Sequence, residues 1–339
     1  MRKLLLLVFV VVIIVASIIT IRAHRQTPEP IDEQTFGSGE ILSGDKPITN
    51  SPDGETPDDS ALPAQTPEKQ ALEDESSKIM AMNWDAGLDI SFYIKDLETG
   101  ETVTHNIKKM NSASLIKLFI MVDAFERDLD GTLPFTPEIK VKLKEMITKS
   151  DNDASRFLTD VYYPENVETL NMTAGDITNA GILKTPVSFA DKGFPDSVME
   201  RKMHDKLPPS GSTGKDNWTT VEDIGKLLEQ IYNKQCVSKA ASEEMLSLLQ
   251  QQEKDNKIPK LIKEQKLPVI VANKTGELSR VENDAAIIAG PWINDFIFVI
   301  MISNIPYEED NEPKNIETRL KVTNNIAEIA LDLVGLFEK

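Results

Sequence analysis

The chain has 339 residues, of which 40% are hydrophobic and 27% charged, and its 55 acidic against 37 basic residues give a net charge of −18. This acidic balance excludes a nucleic-acid partner, because phosphate binding requires a basic surface that displaces counterions. The single cysteine, Cys236, excludes a disulfide framework and a cysteine-rich zinc module, and we expect no metal or other cofactor.

The chain begins with an apolar segment, residues 4–21, interrupted by only two hydroxyl residues. At about 1.5 Å per residue this segment forms a helix of ~27 Å, close to the ~30 Å hydrocarbon core of a bilayer. We therefore predict a single-pass membrane anchor over residues 1–25, with Arg2 and Lys3 in the cytoplasm and the remaining chain outside the cell membrane. The alternative interpretation is a cleaved signal peptide, after which the protein is secreted.

The next segment, residues 26–78, is rich in Pro, Asp, Glu, Ser and Thr and contains one aromatic residue, Phe36. Such a segment cannot bury enough apolar surface to offset the conformational entropy of an ordered chain. We predict a disordered acidic linker that its own like charges keep extended.

The third segment, residues 79–339, is long enough to bury a substantial core. Apolar alternation predicts an N-terminal hairpin at 88–94 and 103–107, and helical spacing then extends from Ser114 to about Asp255. Three strands and a closing helix are predicted near the C-terminus, at 269–272, 285–289, 296–302 and 317–337. Strands at both ends of the segment predict one sheet built from both ends, beside a helical lobe.

Three short motifs follow one another in the third segment: Ser114-Leu115-Ile116-Lys117, Ser150-Asp151-Asn152 and Lys274-Thr275-Gly276. The S-x-x-K spacing also occurs at Ser43 and Ser212, so it is uninformative by itself. The other two motifs are rare in a chain of this composition, and both follow the first. The combination therefore indicates a catalytic site.

The first motif combines a hydroxyl and an amine on one helical face. Ser114 lies where the pattern becomes helical, and Lys117 follows one turn later. The first N–H groups of a helix favour an alkoxide and an adjacent oxyanion. Apolar neighbours desolvate Lys117 and favour the neutral amine that can accept the Ser114 proton.

These motifs and their order resemble the signature set of class A β-lactamases and penicillin-binding proteins, and the resemblance covers residues 79–339. It implies an α+β fold, namely an αβα sandwich with a five-stranded antiparallel sheet built from N- and C-terminal strands, plus an all-helical lobe. It also implies a serine hydrolase that cleaves amide bonds, with a β-lactam or a peptidoglycan stem peptide as substrate. We expect a monomer.

The resemblance implies the following catalytic roles. Ser114 is the acylated nucleophile, and its N–H forms one half of the oxyanion hole. Lys117 is its base or proton relay, and Ser150 passes the proton to the leaving nitrogen. Glu200 occupies the position of the carboxylate that activates the deacylating water in β-lactamases.

Five further residues are implied to bind the substrate. Asn152 holds the substrate amide, while Lys274 and Thr275 receive the substrate carboxylate. Gly276 allows the substrate to approach the edge strand closely. The N–H of Glu277 completes the oxyanion hole.

Departures from the family pattern predict slow β-lactam hydrolysis. Val198 replaces the arginine that usually clasps the loop of the deacylating carboxylate to an acid such as Asp216. The negative Glu277 is expected to repel a β-lactam carboxylate. Asn283 stands where many members have a carboxylate-binding arginine, for which Arg280 is a candidate replacement. A D-Ala-D-Ala peptidase and a non-catalytic wall-binding module are the alternative functions.

Overall fold

The computed structural model describes residues 66–162, 187–203 and 216–339. The predicted membrane anchor and residues 26–65 of the predicted linker lie outside these ranges. Among the helices that the structure describes, none is both long and apolar enough to cross a membrane.

The described residues form nine strands and eight α-helices. The strands are β1 (Asp89–Asp96), β2 (Thr102–His105), β3 (Met110–Asn111), β4 (Val187–Ser188), β5 (Val198–Met199), β6 (Trp218–Thr219), β7 (Ile270–Leu278), β8 (Val281–Ala289) and β9 (Phe296–Ser303). The helices are α1 (Pro67–Ala81), α2 (Ile116–Leu129), α3 (Pro137–Thr148), α4 (Asn152–Tyr162), α5 (Val221–Tyr232), α6 (Lys239–Gln250), α7 (Pro259–Glu264) and α8 (Glu312–Leu336).

The central sheet is antiparallel throughout and has the strand order β2-β1-β9-β8-β7. The N-terminal hairpin therefore pairs with the last strand of the chain, and the sheet is built from both ends of the domain. This confirms the predicted five-stranded architecture. A second, small sheet has the order β3-β6-β5-β4 and lies next to the candidate site.

The core is divided between the two faces of the central sheet. On one face, Phe92 and Ile300 pack with Leu333 of α8 in a cluster that also includes residues of α1. On the other face, Val299 packs with Ile224 of α5 in a cluster that includes α2, α3 and α4. Because side chains alternate along each strand, one sheet supplies both clusters. The result is the predicted αβα sandwich with a helical lobe on one side.

Helix α1 corrects the predicted boundary of the linker at residue 78. Thr66 caps the helix with its side chain, and a proline occupies the first turn, where a missing N–H costs little. Leu72 and Ile79 are buried against the sheet and α8. Of the four acidic residues in α1, only Glu75 is buried with this apolar stripe, and the acidic composition of the segment concealed it.

Strand β7 is longer than the sequence predicted. Its expected apolar run was 269–272, whereas the strand includes the whole Lys274-Thr275-Gly276 motif. Thr275 pairs with Asp284 and Gly276 with Asn283 on the neighbouring strand. Since these residues are polar and yet buried, apolar alternation could not reveal that the strand continues.

Candidate active site

Ser114 lies in a single 3₁₀ turn, Ala113–Leu115, which leads directly into α2. The preceding residue, Ala113, has a φ of +46°, a left-handed conformation that costs a non-glycine residue of order 1–3 kcal/mol. Asn111 stabilises the turn by accepting the Ala113 N–H at 2.9 Å. Ser114 itself is half-buried at this turn.

Gly276 brings strand β7 against the turn that carries Ser114. A Cβ at this position would lie 2.9 Å from the Ser112 carbonyl oxygen and 3.2 Å from the Ser114 nitrogen. Both distances are shorter than ordinary van der Waals contact. Only glycine therefore allows the edge strand and the Ser114 backbone to lie this close together.

Lys117 is fully buried, and its ammonium is bound by groups of the second motif. Nζ donates to the Ser150 carbonyl at 2.7 Å and to Asn152 Oδ1 at 2.8 Å. Burial, with a further contribution from Lys254 and partial opposition from Asp151, lowers the pKa of Lys117 to about 7. A large fraction of Lys117 is therefore neutral near physiological pH and can accept a proton.

The Ser150 hydroxyl lies between two buried amines. Lys274 Nζ donates to Ser150 Oγ at 2.9 Å, and Lys117 Nζ lies 3.4 Å from the same oxygen. Ser150 adopts a φ of +58°, so it is held in a left-handed conformation. Burial and the charges of Lys117 and Lys254 lower the pKa of Lys274 well below its usual range. This arrangement can move a proton through Ser150.

Two of the predicted substrate-binding side chains have unused polar groups or exposed surface. Thr275 is buried, and its hydroxyl has no hydrogen-bond partner among the residues that the structure describes. An unpaired buried hydroxyl costs free energy that a ligand acceptor would recover. Asn152 is exposed, and its Oδ1 accepts from Lys117.

Glu200 directly follows β5, an inner strand of the small sheet. Its N–H donates to Asn217 Oδ1 at 2.9 Å, and the Asn217 carbonyl accepts from the Ser112 N–H at 2.9 Å. Asn217 thereby connects the Glu200 backbone to the segment before Ser114. Within the described ranges, the Glu200 carboxylate makes no hydrogen bond to Ser114 or Lys117.

The Glu200 loop has an arginine clasp, which corrects the expectation that Val198 leaves it without one. Arg201 Nε donates to Asp216 Oδ1 at 3.0 Å, and both side chains are largely buried. The other oxygen of Asp216 accepts from Asn111, next to the Ser114 turn. The sequence analysis missed Arg201 because the family's arginine precedes the glutamate by two positions. In this chain the arginine directly follows Glu200.

The parts of the chain that the structure describes contain no group of three or more His, Cys, Asp and Glu side chains that could hold a metal ion.

A model of the beta-lactamase enzyme family matches residues 71–330. The chain belongs to this family. Its members are serine hydrolases, and the Ser114, Ser150 and Lys274 motifs all lie within the matched range. No curated protein is significantly similar to the chain in sequence.

Solved structures of a β-lactamase and of PBP-A share the fold. A β-lactamase from Sphaerobacter thermophilus has a TM-score of 0.57 at 20% identity, covering 79% of this chain and 98% of its own. PBP-A has a TM-score of 0.52 at 18% identity over 76% of this chain and 96% of its own. A mutant of PBP-A was solved as an acyl-enzyme complex with penicillin G. It has a TM-score of 0.52 at 18% identity, covering 79% of this chain and 98% of its own.

The Glu277 carboxylate of this beta-lactamase-family member is not an isolated negative charge. Its carboxylate pairs with Lys254 and Lys257, each at 2.8 Å. Although burial opposes it, the two lysines lower the pKa of Glu277 to about 2. The negative charge of Glu277 is therefore compensated by two cations, which the expectation of a repelled substrate carboxylate did not include.

The side chains of Asn283 and Arg280, at and near the position of the family's carboxylate-binding arginine, both make hydrogen bonds within the protein. The Asn283 amide donates to the Asn111 and Ser112 carbonyls, so this side chain holds the Ser114 segment in place. Arg280 Nε donates to the Ile305 carbonyl. The sequence analysis also missed Lys254, because its contact with Glu277 joins residues that are 23 positions apart.

Proposed function

We propose that this beta-lactamase-family serine hydrolase is catalytically active and forms an acyl-enzyme at Ser114 with β-lactams or related amides. The observation that carries the proposal is the Ser150 hydroxyl between the amines of Lys117 and Lys274, at hydrogen-bonding distance from Lys274. Such an array can both activate a serine and protonate a leaving nitrogen.

The proposed acylation balances its protons within the site. Neutral Lys117 accepts the Ser114 proton as Oγ attacks the carbonyl carbon. The N–H groups of Ser114 and Glu277 stabilise the negative oxygen. The C–N bond then breaks, and Ser150 donates its proton to the nitrogen while taking one from Lys117, which becomes neutral again.

A fluorescent penicillin tests this proposal on the full chain. We expect the wild-type protein to be labelled covalently, Ser114→Ala to lose the label, and Ser77→Ala, an exposed serine on α1, to keep it. Labelling of Ser114→Ala would mean that another residue is the nucleophile. A folded wild-type protein without any label would favour the non-catalytic wall-binding module.

The second candidate is a D-Ala-D-Ala peptidase or other penicillin-binding cell-wall enzyme with slow β-lactam turnover. It is favoured by the Glu200 carboxylate, which in the described residues has no hydrogen bond to Ser114 or Lys117. If Glu200 nevertheless activates the deacylating water, Glu200→Gln should acylate normally and then stall, with turnover reduced about 10²–10⁴-fold. Unchanged turnover in Glu200→Gln would remove Glu200 from the mechanism.

We also propose that residues 4–21 anchor the protein in the cell membrane, with the catalytic domain outside the cytoplasm. The full chain should then fractionate with membranes, and protease added to intact cells should reach residues 26–339. Mature chains in the medium that begin after Ala23 would indicate a cleaved signal peptide instead.

A further inference from the structure

The cations that the motifs supply are already engaged by the protein. Lys117 and Lys274 each have a relative exposure of 0%. Lys117 is bound by Ser150 and Asn152, and Lys274 by Ser150 and the Thr275 carbonyl. Neither ammonium group is exposed to solvent, so an accessible cation beside them would add a charge that a substrate anion can contact directly.

Lys254 is placed to supply this charge. It lies in the loop between α6 and α7, its side chain is 40% exposed, and its Nζ is 2.8 Å from Glu277 Oε2. Glu277 follows Gly276 directly, and Gly276 faces the Ser114 backbone. Lys254 is thus attached to the strand edge that borders the nucleophile.

The same loop is fixed on its other side to the segment that leads to Ser150. The Glu253 N–H donates to the Thr148 carbonyl at 2.8 Å, and the Gln252 amide donates to the Ile147 carbonyl at 2.9 Å. The Lys254 N–H is in turn bound by Gln252 Oε1. The loop therefore holds Lys254 between β7 and the end of α3, close enough for its charge to affect Lys117 and Lys274.

A chain of alternating charges holds the Glu277 carboxylate. Its second oxygen binds the fully buried Lys257, which pairs at 3.0 Å with Glu282 on β8, and Glu282 pairs with Arg319 on α8. Glu277 therefore has a fixed position on one side and holds a partly exposed ammonium, that of Lys254, on the other. A lysine held in this way loses little conformational entropy when it binds a ligand anion.

We propose that Lys254 is a specificity-determining residue that binds the carboxylate of the substrate, in place of the arginine missing at Asn283. The inference rests on the proposed function and adds to it the residue of this chain that contacts the substrate carboxylate. Glu277 is a positioning residue that holds the Lys254 ammonium in place. When the substrate binds, its carboxylate takes over part of the contact that Lys254 otherwise makes with Glu277.

The test compares two probes that differ only in charge, benzylpenicillin and its methyl ester. Second-order rate constants of acylation are measured by intact mass for the full chain, at a pH on the upper plateau of each variant's profile. Lys254→Gln should slow acylation by benzylpenicillin about 10- to 100-fold, as expected for losing a hydrogen bond to a charged group, and leave the ester nearly unchanged. Lys254→Arg should retain most of the wild-type rate with benzylpenicillin.

Lys263→Gln is the matched control, because Lys263 is an exposed lysine that pairs with Asp255 of the same loop. It should leave both rates unchanged. Equal slowing of both probes by Lys254→Gln would show that Lys254 acts only through Glu277 or Lys117 and would overturn the inference. If the wild-type protein is acylated by benzylpenicillin and its methyl ester at the same rate, the inference is refuted and the proposed function stands. If neither probe acylates the wild-type protein, the proposed function is refuted as well.

Discussion

At the scale of single residues, the site depends on amines that are kept out of water. Lys117 has no exposed surface, and its ammonium is bound by oxygen atoms of the Ser150 segment. Desolvation disfavours the charged form, so the same burial that costs stability provides a base near neutral pH. The nearby cation Lys254 acts in the same direction.

The first prediction concerns the pH dependence of acylation. Because the pKa of Lys117 is lowered to about 7, the neutral base is scarce below this pH and prevails above it. The rate constant for penicillin acylation should therefore rise as pH increases through about 7 and then level off. Stopped-flow labelling across the range measures this profile, and a midpoint near the ordinary lysine value would contradict the proposed role of Lys117.

The second prediction concerns the close approach at Gly276. In Gly276→Ala, the new methyl group meets the Ser112 carbonyl and the Ser114 nitrogen, so the strand and the Ser114 turn must separate. A displacement of about 1 Å in a catalytic geometry can cost ~10²-fold in rate, and overpacking typically costs about 1–3 kcal/mol of stability. We expect losses of this size in the acylation rate and in the free energy of unfolding.

Gly335→Ala is the control for this substitution. Gly335 lies in α8, and a Cβ there meets nothing within 4 Å. Acylation should be unchanged, and stability should change by less than about 1 kcal/mol. If Gly276→Ala acylated at the wild-type rate, the packing of β7 on the Ser114 turn would have no catalytic importance.

At the scale of elements, the site is built largely from loops. Hydrogen bonds and ion pairs hold these loops to neighbouring strands and helices. The Arg201–Asp216 pair connects the segments on either side of residues 204–215, and Asp216 continues this connection to Asn111 beside the Ser114 turn. The loop that carries Glu200 is therefore connected to the Ser114 turn by side-chain contacts and not by a continuous helix or strand.

The third prediction tests this clasp. Arg201→Gln removes the charge that compensates the largely buried Asp216, so the Glu200 loop should become less stable by about 1–3 kcal/mol. Acylation should persist, while steady-state turnover of a chromogenic β-lactam should fall about tenfold. Lys226→Gln breaks an exposed ion pair with Glu222 on α5, and it should change neither the stability nor the steady-state turnover. Equal turnover in the wild-type protein and Arg201→Gln would show that the clasp has no part in deacylation.

At the scale of the whole molecule, the folded domain begins before the predicted boundary at residue 79. Helix α1 packs on the same face of the sheet as α8, and Leu72 belongs to the core cluster there. A chain that starts at residue 79 would lack Leu72 and expose part of this cluster. The family match from residue 71 agrees with this wider boundary.

The fourth prediction tests the contribution of α1. Leu72→Ala in the full chain removes a side chain that is 2% exposed, so urea unfolding should show a loss of about 2–5 kcal/mol. Met80→Ala removes a 40% exposed side chain of the same helix and should cost less than about 0.5 kcal/mol. Equal effects of the two substitutions would mean that α1 does not stabilise the domain.

The sequence by itself determined the family, the fold class and the order of the chemical groups. Ser114 with Lys117, Ser150 with Asn152, and Lys274 with Gly276 are each separated by two or three positions, so their relation is local and visible in the printed chain. Strand and helix periodicities are equally local, and they predicted one sheet built from both ends of the domain. The resemblance to the family implied that this sheet is antiparallel.

Only the tertiary structure decided which charges meet. Arg201 pairs with Asp216 across 15 positions, and Lys254 with Glu277 across 23, and no periodicity encodes either contact. The compensation of Glu277 and the lowered pKa of Lys117 follow from such contacts and from burial. Both depend on which side chains the folded chain brings together away from water, a property of the packed molecule rather than of any local segment.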